Sequence, residues 1–231
     1  MMVPSFAAGA RLAAHRLRDR GTVAVVASTW SLAAAVAFLQ SERDLLGAPT
    51  QALRFTTSLV LPLAALAFAR TVVGRLGLAE LTWWSGRLGL SRRGVALGAM
   101  VALLGWGALT WATTATIVLT GAYRGAPGFG ADVVATLPVV AMGGVAYGAW
   151  FAWGATALTR GRGVWLMAAV DLVLGSAPGA LSWVVPRTHI EHLVLGTPAV
   201  IAAAWRPPMS FVALALVTAV ATVAVALRTR P

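Results

Sequence analysis

The sequence predicts an all-α membrane protein with six transmembrane helices, a single domain over residues 1–231, on three observations. Hydrophobic residues make up 59% of the chain and charged residues only 11%, whereas a soluble domain needs far more polar residues to cover its exterior. The apolar residues gather in runs of about 20, the length of helix that crosses ~30 Å of hydrocarbon. The basic residues fall between those runs and not on one patch, so the formal charge of +11 reads as membrane topology and not as a nucleic-acid surface. Lipid is then the solvent for much of the surface, and the spans leave no length for a separate catalytic or nucleotide-binding domain.

The N-terminal stretch, residues 1–21, precedes the first long apolar run. Phe6, Ala10, Ala13 and Leu17 recur on one helical face and Arg11, His15 and Arg18 on another. That pattern predicts an amphipathic helix in the interface, arginines toward anionic headgroups, with a disordered basic tail as the alternative. A cleavable signal is not expected, because the first apolar run follows the basic stretch and leads into more protein.

The first span is expected at 22–39 and is ended by the polar run Ser41 to Asp44 and by Pro49. The second, at 55–73, carries Pro62 near its middle, where a neighbouring helix or water can satisfy the carbonyl that proline leaves free. Residues 74–94 mix Arg75, Glu80, Arg87, Arg92 and Arg93 with Leu81, Trp83, Trp84 and Leu88. This stretch is too short and too charged to span, which predicts a short helix on the membrane surface. The third span, 95–119, contains Trp106 and Trp111. A glycine-rich turn at 123–130 leads to the fourth, 133–158, and the Arg160-Gly161-Arg162 turn leads to the fifth, 164–184. Residues 186–208 are apolar but broken by prolines and glycines, and the sixth span follows at 209–227.

The arginines orient the bundle. All 18 basic residues are arginine; with the N-terminus inside, thirteen lie on the inner side, leaving Arg43, Arg54, Arg124, Arg187 and Arg206 outside. That bias is what the positive-inside rule asks of short loops, and an even number of spans puts the C-terminus inside as well.

Few residues suggest chemistry. Without cysteine there is no disulfide, thiol nucleophile or thiolate metal site, and no phosphate-cradling loop precedes a lysine. All three histidines lie outside the expected spans, which argues against an intramembrane serine protease. His189, Glu191 and His192 are three possible metal ligands without the spacing of a helical zinc motif, and the alternative is a polar rim on a short amphipathic helix. Asp171 is the one ionisable residue well inside a span. It either lines a cationic path or carries a proton, or it hydrogen-bonds a Ser or Thr of a neighbouring helix. Gly144 with Gly148 and Gly175 with Gly179 form small-xxx-small pairs suited to close helix packing. Trp83, Trp84, Trp183 and Trp205 sit as interface anchors, while the deeper Trp106 and Trp150 either shape a hydrophobic path or pack helices.

The segment Leu90-Ser91-Arg92-Arg93-Gly94-Val95-Ala96-Leu97-Gly98 resembles the start of the third span in ABC-2 type permeases, where an acidic residue and a small amphipathic helix precede a Ser-Arg-x-x-aliphatic-x-x-Gly pattern. Glu80, Leu81 and the stretch from Trp83 to Leu90 fill the earlier part. Ala99 stands where the family has lysine, and the spacing from Glu80 to Ser91 is shorter. The resemblance extends along the chain as an order of parts: an N-terminal amphipathic helix, six spans, a basic turn between spans four and five, and a broken segment before the last span. It implies re-entrant helices at 186–208 and an ATPase-coupling helix built on Glu80, Leu81, Trp83, Trp84, Arg87, Leu88, Ser91 and Arg92.

The resemblance further implies an exporter subunit of the bacterial plasma membrane for an amphipathic or hydrophobic compound, peptide or lipid-linked molecule. It implies partnership with a second permease subunit, identical or homologous, and with a separate ATP-binding cassette ATPase that holds the ATP and magnesium, so that this chain is not itself an enzyme and carries no cofactor. Asp171, Trp106 and Trp150 are the candidates for the translocation path. A substrate-binding subunit of a vitamin-type importer and an intramembrane enzyme are the rival expectations.

Overall fold

The computed structural model describes residues 2–43, 47–74, 77–125, 127–175, 180–195 and 207–229. Arg75, Pro178, Gly179, Trp205, Arg206, Arg230 and the 196–206 part of the broken segment lie outside the described residues. Among those described, every regular element is helical: α1 (Met2–Leu17), α2 (Arg20–Arg43), α3 (Ala48–Phe55), a π-helical turn (Thr56–Val60), α4 (Leu61–Val73), α5 (Leu78–Leu81), α6 (Trp83–Arg87), α7 (Arg92–Tyr123), α8 (Phe129–Ala157), α9 (Gly163–Gly175), α10 (Pro186–Leu195) and α11 (Pro207–Arg228), with 3-10 turns at Thr159–Gly161 and Ala180–Val184.

Five of these helices are long and apolar enough to cross a membrane: α2, α3 continued through α4, α7, α8 and α11. Large apolar side chains face outward along them, among them Leu63, Leu109 and Leu216, each more than half exposed. In water such a belt would drive aggregation; in hydrocarbon it costs nothing. The core lies between the helices and contains the fully buried Trp111, Tyr147, Phe68 and Phe151. α9 is apolar and has 13 residues, about 20 Å at 1.5 Å per residue; of the expected fifth span at 164–184, the described residues carry this helix and the 3-10 turn at Ala180–Val184.

Hydrogen bonds between distant residues fix which helix ends meet. The Arg16 guanidinium donates to the Val72 carbonyl (2.6 Å), Arg70 to Gly161 (3.4 Å) and Arg228 to Thr156 (3.3 Å). The last turn of α1, the ends of α4, α8 and α11 and the basic turn after α8 therefore share one end of the bundle. At the opposite end Arg124 pairs with Glu42 at 2.7 Å, joining the ends of α2 and α7. Because α8 and α11 both finish at the first end, the chain returns to the opposite end between Gly163 and Pro207.

Glycines set the tightest crossings. A Cβ at Gly98 would strike the Phe6 carbonyl, and one at Gly9 the Val95 carbonyl, so α1 lies backbone to backbone on the first turns of α7. Gly107 and Gly144 face each other in the same way where α7 crosses α8. Such approach is open only to residues without a side chain in the way. The packed face of α1 is Ser5, Gly9, Ala13 and Leu17: Ala13 and Leu17 of the expected face are buried, while Ser5 and Gly9 take the places expected for Phe6 and Ala10. Hydropathy marks the largest apolar residues, whereas the crossing selects the smallest.

The π turn has a local cause. Thr56, Thr57 and Ser58 hydroxyls donate to the carbonyls of Ala52, Leu53 and Arg54, four residues earlier, at 2.6–2.7 Å. Those bonds compete with the backbone ladder, and Pro62 has no N–H to give the Ser58 carbonyl. The Leu61 N–H reaches back five residues to Thr56 instead, a one-turn widening of the kind found inside long helices.

Candidate functional site

Two places gather the residues singled out by the sequence. The first is a buried polar network midway along the bundle. Asp171 of α9 is 4% exposed; the Tyr147 hydroxyl of α8 donates to its Oδ2 at 2.7 Å and the Arg187 backbone N–H to its Oδ1 at 3.4 Å. The Arg187 guanidinium donates to the Ser58 carbonyl, which Pro62 leaves without its helical partner, and its Nε lies 3.5 Å from Glu191. The Arg187 cation thus sits against one carboxylate and a bare carbonyl while its backbone amide holds Asp171, tying α9, α10, α8 and the π turn together. A buried charge is tolerable when it is paired and hydrogen-bonded in this way.

Arg187, expected among the outer-side arginines, is 8% exposed inside this network, and the expected short helix is present as α10, with His189 2% exposed and so turned inward instead of forming a polar rim. Guanidinium chemistry explains the first: its fixed donors find the Ser58 carbonyl and the Glu191 carboxylate inside the bundle, which residue hydropathy cannot register. Asp171 finds a tyrosine and a backbone amide in place of the expected Ser or Thr hydroxyls.

The histidines of α10 converge on Ser210 at the start of α11. Ser210 Oγ lies 2.9 Å from His192 Nδ1 and 3.4 Å from His189 Nδ1, while His189 Nε2 is 2.7 Å from the Trp183 carbonyl. That carbonyl only accepts, so Nε2 carries the proton and Nδ1 of His189 is an acceptor. Burial holds the His189 imidazole below its ordinary value and raises the Glu191 carboxyl, the nearby Arg187 opposing the latter. Ser210 is 1% exposed, so this Ser-His contact has no surface on which to meet a substrate and serves to fasten α10 to α11. Glu191 turns to Arg187 instead of joining the histidines, and no group of metal-binding geometry exists among the described residues.

The second place is the segment between α4 and α7, at the arginine-rich end. Glu80 anchors it: the Gly77 N–H donates to Oε2 and the Arg160 N–H to Oε1, both at 3.2 Å. The first bond closes α5 on itself and the second ties it to the turn between α8 and α9. Leu81 packs against the core. Beyond it α6 projects Trp83 and Trp84, edge to face at 5.1 Å, with the Arg87 guanidinium 4.1 Å from the Trp83 ring centre. Trp83, Trp84 and Leu88 are 44%, 59% and 79% exposed. Ser91 caps α7, its Oγ accepting from the Gly94 N–H at 3.2 Å, and its own N–H donates to Ser5 of α1 at 2.9 Å. The Arg92 side-chain carbons lie along Gly86. Ser91, Gly94 and Gly98 of the sequence motif thus have structural work as cap and crossing points.

Of the suggested path residues, Asp171 and Trp150 share the seam between α8 and α9, where Trp150 Nε1 donates to the Met167 carbonyl at 3.0 Å. Trp106 stands apart, edge-on to Phe68 of α4 at 6.4 Å. Tyr147, Ser58 and Ser210 were not signalled as site residues; Pro62, which frees a carbonyl, was the one usable hint. No protein-family profile, curated protein or solved structure matches this chain.

Proposed function

We propose that this chain is the membrane subunit of an ATP-binding cassette exporter, moving an amphipathic or hydrophobic compound, with ATP hydrolysed by a separate partner. The observation that carries the reading is the exposed Trp83–Trp84–Arg87–Leu88 surface on a short helix anchored into the bundle through Glu80. Exposed aromatic and arginine side chains next to a rigid support are the composition of an interface hot spot. They lie at the end of the bundle that the positive-inside rule assigns to the cytoplasm, where a soluble ATPase would dock.

Its mechanical logic follows from the contacts. A push on α6 passes through α5 and Glu80 to the α8–α9 turn, and through the Arg92 stem to the base of α7. The Asp171 network holds α8, α9 and α10 as one unit, so the displacement moves packed helices and does not open a seam within the chain. In this reading the path forms between two permease subunits, and Asp171, Trp150 and Trp106 stiffen its walls.

The test is co-purification with any ATP-binding cassette protein encoded beside this chain. Trp84→Ala with Arg87→Ala should lower its recovery about tenfold or more, as two hot-spot truncations of at least ~1 kcal/mol each would, while leaving the membrane subunit monodisperse. If no such ATPase associates with the intact chain and membranes show no ATP-dependent transport, the reading fails.

A further inference from the structure

Arginines crowd one end of a groove between α2 and α4 that is otherwise apolar. At that end a pocket of about 720 Å³ is bordered by His15, Arg16, Arg18 and Arg20, with Thr71 and Gly74 across from them. Asp19 is also on its wall, so the arginines outnumber the carboxylate three to one. Arg16 is held in place by its bond to the Val72 carbonyl, whereas neither Arg18 nor Arg20 forms an ion pair with another described residue. Further along the same two helices a second cleft of about 360 Å³ lies between Val25, Ser28 and Leu32 on one side and Leu59 and Leu63 on the other.

The two hollows are aligned. Arg20, Ala24, Ser28 and Leu32 follow one another at four-residue spacing on α2, and Leu59, Leu63, Ala67 and Thr71 do the same from the π turn along α4. Residues four apart lie on one helical face, so the arginine pocket and the apolar cleft lie along the same faces of α2 and α4. Ala24 and Ser28, both small, line the cleft on the α2 side. The twelve helical rises from Leu59 to Thr71 span about 18 Å, comparable with the ~15 Å half-thickness of a hydrocarbon core.

We infer that this groove binds an anionic phospholipid, its phosphate among Arg16, Arg18 and Arg20 and one acyl chain in the cleft between α2 and α4. A cationic pocket at the level where α2 meets the headgroups, continued by an apolar channel one leaflet deep, matches the two halves of such a molecule. The phosphate is the shared chemistry of a lipid headgroup and of free inorganic phosphate; the acyl cleft selects the lipid. The inference does not depend on the presence of an ATPase partner.

Native mass spectrometry of the purified full-length chain, titrated with phosphatidylglycerol and with phosphatidylcholine, tests it. The anionic lipid should remain bound at collision energies that strip the zwitterionic one. Arg18→Gln with Arg20→Gln should weaken phosphatidylglycerol binding about tenfold or more, at ~1 kcal/mol per arginine. Arg20→Lys should retain most of it, which separates lost charge from lost fold. Ser28→Leu, which fills the cleft with every charge in place, should also weaken it severalfold. Millimolar inorganic phosphate should not displace the lipid. Equal retention of both lipids, an unaffected Ser28→Leu variant, or displacement by phosphate alone would each overturn the proposal.

Discussion

At the scale of single residues, Asp171 is held by two donors from two other helices, and its hydrogen bonds are therefore measurable as coupling. Tyr147→Phe removes one donor from a buried carboxylate and should cost about 1–3 kcal/mol, read as a lowered thermal midpoint in detergent. Adding Asp171→Leu should cost less than the sum of the two single changes, because the carboxylate that suffers from the missing hydroxyl is gone. His189 gives a test in pH. Its folded-state pKa lies below the ordinary 6.5, so the unfolded chain binds more protons below that value and stability falls as pH drops through 6.5. Glu191, raised by burial, acts in the opposite sense above about 4.5. His189→Gln removes only the first effect, so on going from pH 7.5 to 5.5 the midpoint of the variant should fall less than that of the parent.

At the scale of elements, the α1–α7 crossing depends on glycine at chosen positions and not at others. Gly98→Ala places a methyl against the Phe6 carbonyl, and should cost about 1–3 kcal/mol and expose α1 to protease. Gly105→Ala on the same helix meets nothing within 4 Å, and should be neutral or stabilising by up to ~1 kcal/mol through helix propensity alone. The comparison also shows what the sequence could reveal. Long apolar runs announced α2, α4, α7, α8 and α11, since a span is mostly a matter of length and hydropathy. Of the face by which α1 packs, Ala13 and Leu17 were legible from their spacing, whereas Ser5 and Gly9 were not, because they carry no hydrophobic signal. Nor was the interior position of α10: Arg187, His189 and Glu191 read as polar, and the partners that make them tolerable inside are Ser58, 129 residues from Arg187, and Ser210, 21 from His189.

At the scale of the whole molecule, the hydrogen bonds from Arg16, Arg70 and Arg228 put α1 and the end of α11 at one end of the bundle, opposite the Arg124–Glu42 pair. The chain has no native cysteine, which allows a direct check with single introduced cysteines and a membrane-impermeant maleimide. Ser85→Cys and Arg228→Cys should label from one side of the membrane and Gly130→Cys from the other; labelling of Ser85→Cys and Arg228→Cys from opposite sides would show that α9 and α10 do not bring the chain back. The link between Arg187 and the Ser58 carbonyl has one more consequence, in time. Those residues are separated by 129 positions, and at a synthesis rate of about 5–20 residues per second the second leaves the ribosome roughly 6–26 s after the first. During that interval the bent helix is in the bilayer with a carbonyl that its own proline has stripped of a partner. Water or the insertion machinery must solvate it until the arginine arrives, so the nascent second helix is completed by a residue made well over a hundred positions later.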